Sequence, residues 1–541
     1  MKPLRSLFAQ PDTAPAYQSA AHRFWTEFLT ACLALYLTYA TYLSRSALFV
    51  SAADTVASLL WAGVLFGAVY AALRRWTVAG GARAARAERA KLNPWVFAVG
   101  TLVPLCVLGA FLLAADPGGV TVDSAVQWTQ ALTGRYTNWH PVFHTLLLRL
   151  CALIKPDYTF AVAVQCAAFS VALGYLMATL HAWGAAALPL VLAEGLAVAS
   201  PIVGNTLMYL WKDNAMTIGA LVLTAQAVNV YRSRGAWLLK FGNAVTFGLA
   251  LAFTTLVRHN GLLFTLPMLL TVLLTCRAGR KGAMIATAAM VTALSLTLGP
   301  LYAALPIAYP SNGLEESIGV PMTVVSNIRK VNPDALDAET RAFTDAMADD
   351  AGWSAYRPDT YNTIKFGATR GLIAHTTLPK ILRMAASAAK ADPRNAFLAV
   401  NGVTDLVWGL ADEGAANVRV RNSASLPSVP AGSGRANAAG TAVKAFLTAP
   451  LGLLPFAWYF DNLGVPLMAM LIAALRALRR NGVRVLLLCL PTLLYSLGTM
   501  CVLCGPDARF FAFSPLVCLF SLWALARDVP QVNPRGEKET A

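Results

Sequence analysis

Long apolar runs alternate along this chain with short polar breaks. Runs near helix length lie at about 24–43, 54–73, 95–115, 159–182, 185–205, 214–232, 239–257, 261–276, 283–303, 462–478, 484–504 and 509–526. A helix needs about 20 residues to cross a hydrocarbon core of about 30 Å. Inside lipid the backbone must satisfy its own hydrogen bonds, which favours helices. The pattern predicts an all-α polytopic membrane protein with about 12 transmembrane helices. One apolar segment departs from it: PVFHTLLLRLCALIKPD (141–157) is interrupted by His144 and Arg149 and reads as a helix lying in the interface.

Composition agrees. Of 541 residues, 57% are hydrophobic and 13% charged, where soluble domains carry roughly 25% charged residues. The net charge of +16 does not call for nucleic acid, because the cations collect in short loops between spans. Arg74, Arg75, Arg83, Arg86, Arg89 and Lys91 follow the second run; Arg232 and Arg234, then Arg277, Arg280 and Lys281, then Arg476, Arg479, Arg480 and Arg484 follow later ones. Positively charged loops mark the cytoplasmic side. All four agree with one topology, with both termini cytoplasmic, provided 141–157 does not cross. The N-terminal residues read as a basic tail without a cleavable signal, so the first span is expected to be retained.

The expected organisation is a tail (1–23), three spans (24–115), an external catalytic loop (116–158), six spans (159–305), a large external loop (306–445), the C-terminal spans (446–527) and a cytoplasmic tail (528–541). Helical stretches are expected in the large loop at DALDAETRAFTDAMADD and LPKILRMAASAAKADP. Its later part, rich in Pro, Gly and small polar residues, reads as a flexible linker or lid. Most of the nine cysteines fall inside spans, and the Cys501-x-x-Cys504 pair lacks the second pair or histidines of a metal site.

With that topology, the polar motifs outside the basic loops all fall on the external side: Asp116 to His144, MYLWKDN (208–214), VRHNG (257–261) and CGPDARFF (504–511). Charges at the ends of apolar spans are costly and are usually paired or functional. Asp123 offers a carboxylate that could take a proton from a hydroxyl. Arg258, Arg509 and Lys212 offer cations that could hold a phosphate. His140, in an Asn-Trp-His-Pro corner, and Asp213 complete the set. Such groups suit transfer from a lipid-linked phosphate, whose departure needs electrostatic stabilisation more than an acid. Blander roles are open to each. Asp123 could cap a helix, and Lys212 and Asp213 could pair elsewhere. Arg258 and His259 could snorkel to the interface, and Arg509 could pair with Asp507. Asp116 is a rival base, although the Pro-Gly-Gly after it suits a turn. His181 and Glu194 read as structural, and Trp128, Tyr136 and Trp139 as interface anchors.

An early Asp in the first large external loop, a His-Pro corner and an in-plane helix resemble the GT-C superfamily of membrane glycosyltransferases. That group includes protein O-mannosyltransferases and the aminoarabinose transferases of lipid A. The resemblance implies that Asp123 stands at the catalytic base, HPVFHTLL (from His140) at the HPPL-type motif, Asp213 at a second external Asp, and Arg509 at the start of the last span. WKD, RHNG and DARFF together look most similar to bacterial members of the group. Ser124 stands where the family often has a second acid, and HPVF replaces HPPL. No cofactor is expected, and the missing acid counts against a divalent metal of the family's kind. The implied activity is inverting transfer of a sugar from a polyprenyl-phosphate-linked donor to an acceptor hydroxyl on an envelope glycan, lipid or protein, at the external face of the cell membrane. The partners are that donor, that acceptor and membrane lipid.

Other classes stay open. A flippase for lipid-linked glycans would distribute charges through its span interiors, an O-antigen polymerase or ligase would rely on arginines and a histidine in its loop, and a scaffold would need no convergent Asp, Arg and His groups.

Overall fold

The computed structural model describes residues 20–78, 89–310, 313–358, 360–365, 369–411, 438–453, 459–460, 462–527 and 529. The N-terminal tail to residue 19, the basic loop at 79–88, the linker or lid at 412–437 and the tail from 530 lie outside the described residues. The fold is helical, and the strands among the described residues are two-residue pieces, Tyr136–Thr137 paired in parallel with Ile307–Ala308.

Each of the expected spans coincides with helix. Among the described residues, six helices or helical runs are long and apolar enough to cross a membrane by length and composition: Ala52–Val78, Pro94–Ala115, Tyr158–Ala182, Arg280–Leu301, the run Gly464–Met500, and Ala508–Leu525. At about 1.5 Å per residue, a helix of the length of Pro94–Ala115 reaches about 33 Å. The others are shorter or less apolar. The run expected at 185–205 divides into Ala187–Ala199 and Pro201–Thr206, because Ser200 ends the first piece with extended backbone and caps the second. Gly464–Met500 is interrupted by a 3-10 turn at Gly482–Val485, entered at Gly482 with φ +71°. The apolar surface that would face lipid is large. Trp61, Leu60 and Val64 on one helix are each more than 60% exposed, as is Trp95 on another, which water would not tolerate over such an area.

Two expectations are corrected. The large loop was expected to run to 445, yet the Ala438–Leu453 helix begins inside it and packs on Pro94–Ala115 and Ala187–Ala199. Alanine, leucine and the β-branched residues of this stretch give it an apolar face despite its polar neighbours. Trp128 and Tyr136, read as interface anchors, are core residues: Trp128 is fully buried and stands edge-on to Tyr158 with centroids 5.8 Å apart.

Residues 313–408 form a helical body with its own cores, one around Ile318, Met322, Trp353, Tyr361 and Ile381 and another around Ile328, Leu336 and Ala399. The stretches read as helical in sequence appear as Ala338–Met347 and Leu378–Ala391, each with one apolar face turned inward. The body rests on the 501–507 loop. The Asn362 amide and the Thr360 hydroxyl donate to the Cys504 carbonyl at 3.1 Å each.

Charged side chains gather at the helix ends. Asp116, Asp123, Lys212, Arg258 and Arg509 lie at one end of the bundle. At the other, Arg479 and Arg74 share Glu27, at 2.9 and 3.5 Å, and Asn481 donates to the Tyr231 hydroxyl at 2.8 Å.

Candidate functional site

The site begins with a helix cap. Thr121 and Ser124 form a reciprocal capping box: the Thr121 amide donates to Ser124 Oγ at 2.8 Å and the Ser124 amide to Thr121 Oγ1 at 3.4 Å. Ser124 thus has a local role at the position where the resembled family often carries an acid. The cap is stitched to the segment ahead of Lys212. The Gly119 amide donates to the Met208 carbonyl at 2.9 Å, the Tyr158 hydroxyl to the Gly119 carbonyl at 2.7 Å, and Trp211 Nε1 to Thr121 Oγ1 at 2.9 Å. A side chain at Gly119 would overlap the Tyr209 ring, so the close approach of the two segments requires glycine there. The stitching places Asp123, in the first turn of Val122–Thr133, opposite Lys212, the first residue of Lys212–Arg232.

His140 arrives from the corner before the Val142–Ile154 helix. The polar residues of that helix turn toward Val122–Thr133 rather than to an interface. Gln127 Nε2 donates to His144 Nδ1 at 3.0 Å, and Arg149 Nη1 caps the carbonyls of Ala131 and Leu132 at 2.8 Å each. Arg509 enters from the 3-10 turn Ala508–Phe511, which Asp507 caps.

Four side chains from four stretches then form one chain of contacts. Arg509 Nη1 donates to Asp123 Oδ2 at 2.8 Å; Asp123 Oδ1 lies 3.9 Å from His140 Nε2; and His140 Nδ1 meets Lys212 Nζ at 2.9 Å. As an ammonium, Lys212 can only donate, so Nδ1 accepts and the ring proton sits on Nε2, facing Asp123. Burial, and then the charge of Lys212, drive the His140 imidazole down to about 3. It is therefore neutral at ordinary pH. His144, buried and close to Lys212, is likewise held down to about 3. Burial alone would raise the Asp123 carboxyl, but the charges of Arg509 and Lys212 and the Arg509 hydrogen bond outweigh it and hold it below the ordinary carboxylate value.

Behind this chain Arg258 pairs with Asp213. Arg258 Nε also donates to Asn260 Oδ1 at 2.6 Å, and its guanidinium lies 4.8 Å from the Phe510 ring centre and 5.8 Å from that of Tyr495. The pair corrects the snorkelling reading and bears on the phosphate role expected of Arg258. Its side chain is 7% exposed and already holds a carboxylate, whereas the Asp123 side chain is 31% exposed and the Arg509 side chain 19%. Asp123 and Arg509 can meet a substrate from outside; Asp213 and Arg258 support them from within. Adjacent Lys212 and Asp213 serve different partners, because successive helix positions point about 100° apart.

Arg509 does not choose between Asp123 and Asp507. Its Nε lies 2.8 Å from Asp507 Oδ2, and its guanidinium sits 4.9 Å from the Trp211 ring centre. Trp211 in turn stacks flat on Tyr209 at 4.0 Å. Asp116, the rival base, stands apart and accepts from Thr159 Oγ1 at 3.1 Å. Among the described residues no three His, Cys, Asp or Glu side chains converge to hold a metal ion. Sequence reading missed Glu316, from the 313–408 body, whose charge acts on Lys212 and Arg509 while its carboxylate meets Lys365 at 2.5 Å. Nothing near LEES in the sequence signals that contact. Trp211, inside the WKDN motif, could have been found from its place beside Lys212.

Comparison with protein-family models, curated proteins and solved structures finds no match to this chain.

Proposed function

We propose that this cluster carries out glycosyl transfer from a polyprenyl-phosphate-linked sugar to an acceptor hydroxyl, in a GT-C-like arrangement of about 12 spans with the cluster on the external face and both termini cytoplasmic. The observation that carries the reading is the meeting of Asp123, His140, Lys212 and Arg509, drawn from separate stretches, at one end of the bundle, with Asp123 more open than His140 and Arg509.

In this reading Asp123 takes the acceptor proton. The hydroxyl oxygen attacks the anomeric carbon, the bond from that carbon to the phosphate oxygen breaks, and the phosphate leaves with the electron pair, so the configuration inverts. Asp123 is ionised at ordinary pH, and among the described residues its Oδ1 has no cation within hydrogen-bond distance. Arg509 and Lys212 stabilise the leaving phosphate; Arg509 reaches it with Nη2, because Nη1 meets Asp123 and Nε meets Asp507. His140 keeps Lys212 in place and presents its Nε2 proton toward Asp123. Arg258 and Asp213 fix the wall behind them. The ends of these helices abut lipid, which suits a donor whose carrier stays in the bilayer.

The test is release of polyprenyl phosphate from polyprenyl-phosphate sugars in liposomes containing the full-length protein. Asp123→Asn, folded as judged by size-exclusion profile, is expected to lose turnover by about 10²- to 10⁴-fold, the range for a positioned general base. Full activity in that variant would remove the base assignment. Movement of intact lipid-linked sugar across the bilayer without phosphate release would replace the transferase reading with a flippase.

A further inference from the structure

A second polar site lies at the opposite end of the bundle. The Lys212–Arg232 helix starts at the cluster and ends beside a cavity of about 510 Å³ bordered by Arg89, Tyr175, Trp183, Trp237 and Lys240. Its 21 residues separate the two sites by about 30 Å at about 1.5 Å per residue. No carboxylate is among the described residues lining the cavity. Arg89 Nε is buried with no hydrogen-bond partner among the described residues, and exposed Lys240 opens on the same cavity. A buried guanidinium nitrogen without a partner is unfavourable, and the described lining offers it no carboxylate, so the cavity suits an anion.

The surroundings say which kind. Trp183 donates from Nε1 to Asn229 Oδ1 at 3.0 Å, which fixes its ring, and the Arg232 guanidinium lies 5.6 Å from that ring's centre. Trp237 lines the same cavity, and indoles gather where membrane meets water. The surface beside it is apolar and open: Leu92 in the lining is 38% exposed, and Leu239 and Phe241, which flank Lys240 in sequence, are 60% and 69% exposed. A soluble anion has no use for that surface. An amphiphile does, with its charged group in the cavity and its chains along the exposed leucines and phenylalanine.

We propose that this cavity binds the phosphate headgroup of an anionic phospholipid. Arg89 and Lys240 hold the phosphate, the two tryptophans set its depth, and the Leu92, Leu239 and Phe241 surface receives the acyl chains. The site lies at the end where basic residues gather, as basic pockets between membrane helices do when they hold anionic lipid. It does not depend on the transfer chemistry proposed for the other end.

The experiment uses full-length protein in detergent, titrated with dioleoylphosphatidylglycerol or dioleoylphosphatidylcholine, with bound lipid counted by native mass spectrometry. Each cation near an anionic headgroup contributes about fivefold in affinity. Arg89→Gln with Lys240→Gln is therefore expected to weaken phosphatidylglycerol binding about 25-fold and to leave phosphatidylcholine unchanged. Arg89→Lys with Lys240→Arg keeps both charges and is expected to retain most of the binding, which separates loss of charge from loss of fold. Equal phosphatidylglycerol retention in wild type and the glutamine variant would overturn the proposal. Displacement of the lipid by inorganic phosphate at matching concentration would overturn it too, by assigning the cavity to a soluble anion.

Discussion

The Arg258–Asp213 pair can be tested as a unit by removing its members singly and together. Both side chains are nearly excluded from solvent, at 7% and 2% exposure. Asp213→Asn leaves the guanidinium buried without its countercharge, and breaking a buried pair from one side costs about 3–5 kcal/mol. Arg258→Met removes the cation together with its contacts to Phe510 and Tyr495, worth about 2 kcal/mol when desolvated. It also leaves Asn260 Oδ1 without the donor at 2.6 Å, a further loss of about 1 kcal/mol. The double variant carries neither charge. It is expected to be more stable than Asp213→Asn alone, with a coupling of about 3 kcal/mol, which is more than 10²-fold in the folding equilibrium. Denaturant titration in detergent micelles, followed by tryptophan fluorescence, reads all four corners of the cycle. Losses that simply add, to within about 0.5 kcal/mol, would mean that the two residues do not act as a pair. The support assigned to them beneath Asp123 and Arg509 would then fail.

Other expectations follow from the same geometry. Lys212→Met removes a positive charge that disfavours a protonated His140 and favours an ionised Asp123; both groups should then take up protons at higher pH, and the acid limb of the transfer rate should move upward, an unmoved limb refuting the coupling. His140 and His144 are held neutral down to about 3, while an unfolded histidine titrates near 6.5. Between these values the unfolded chain binds more protons, so stability falls as pH drops, by about 2 kcal/mol for each histidine between pH 7.5 and 5. Thermal unfolding at the two pH values should show a smaller drop in His140→Gln with His144→Gln than in wild type; identical drops would place the pH dependence elsewhere. Gly319 packs against the Leu503 carbonyl with no room for a methyl group, so Gly319→Ala should loosen the 313–408 body and speed maleimide labelling of buried Cys504. Unchanged labelling would show that the body does not seal that cysteine.

Positions of helices were legible in the sequence because lipid leaves the backbone few choices and because an apolar run of sufficient length is a signal in itself. The cap at Thr121 and Ser124 was present in the letters, although it was not the reading given to Ser124. That Asp123, His140, Lys212, Asp213, Arg258 and Arg509 belong together was legible from charge alone. Lys212, Asp213, Arg258 and Arg509 stand at the ends of apolar runs, Asp123 and His140 lie in the polar stretch after another, and the basic loops predict all of these on one side. Packing decided the pairing. Two acids and three cations within one cluster can combine in several ways, and helix rotation set Asp213 on Arg258 and left Asp123 to Arg509. The same rotation buried Trp128 that sequence placed at an interface, and folding of the 313–408 body brought Glu316 toward Lys212 from about 100 residues away along the chain. Local apolar pattern is written residue by residue; the partner of a charge depends on how whole helices turn against each other, and that is set only when the core closes.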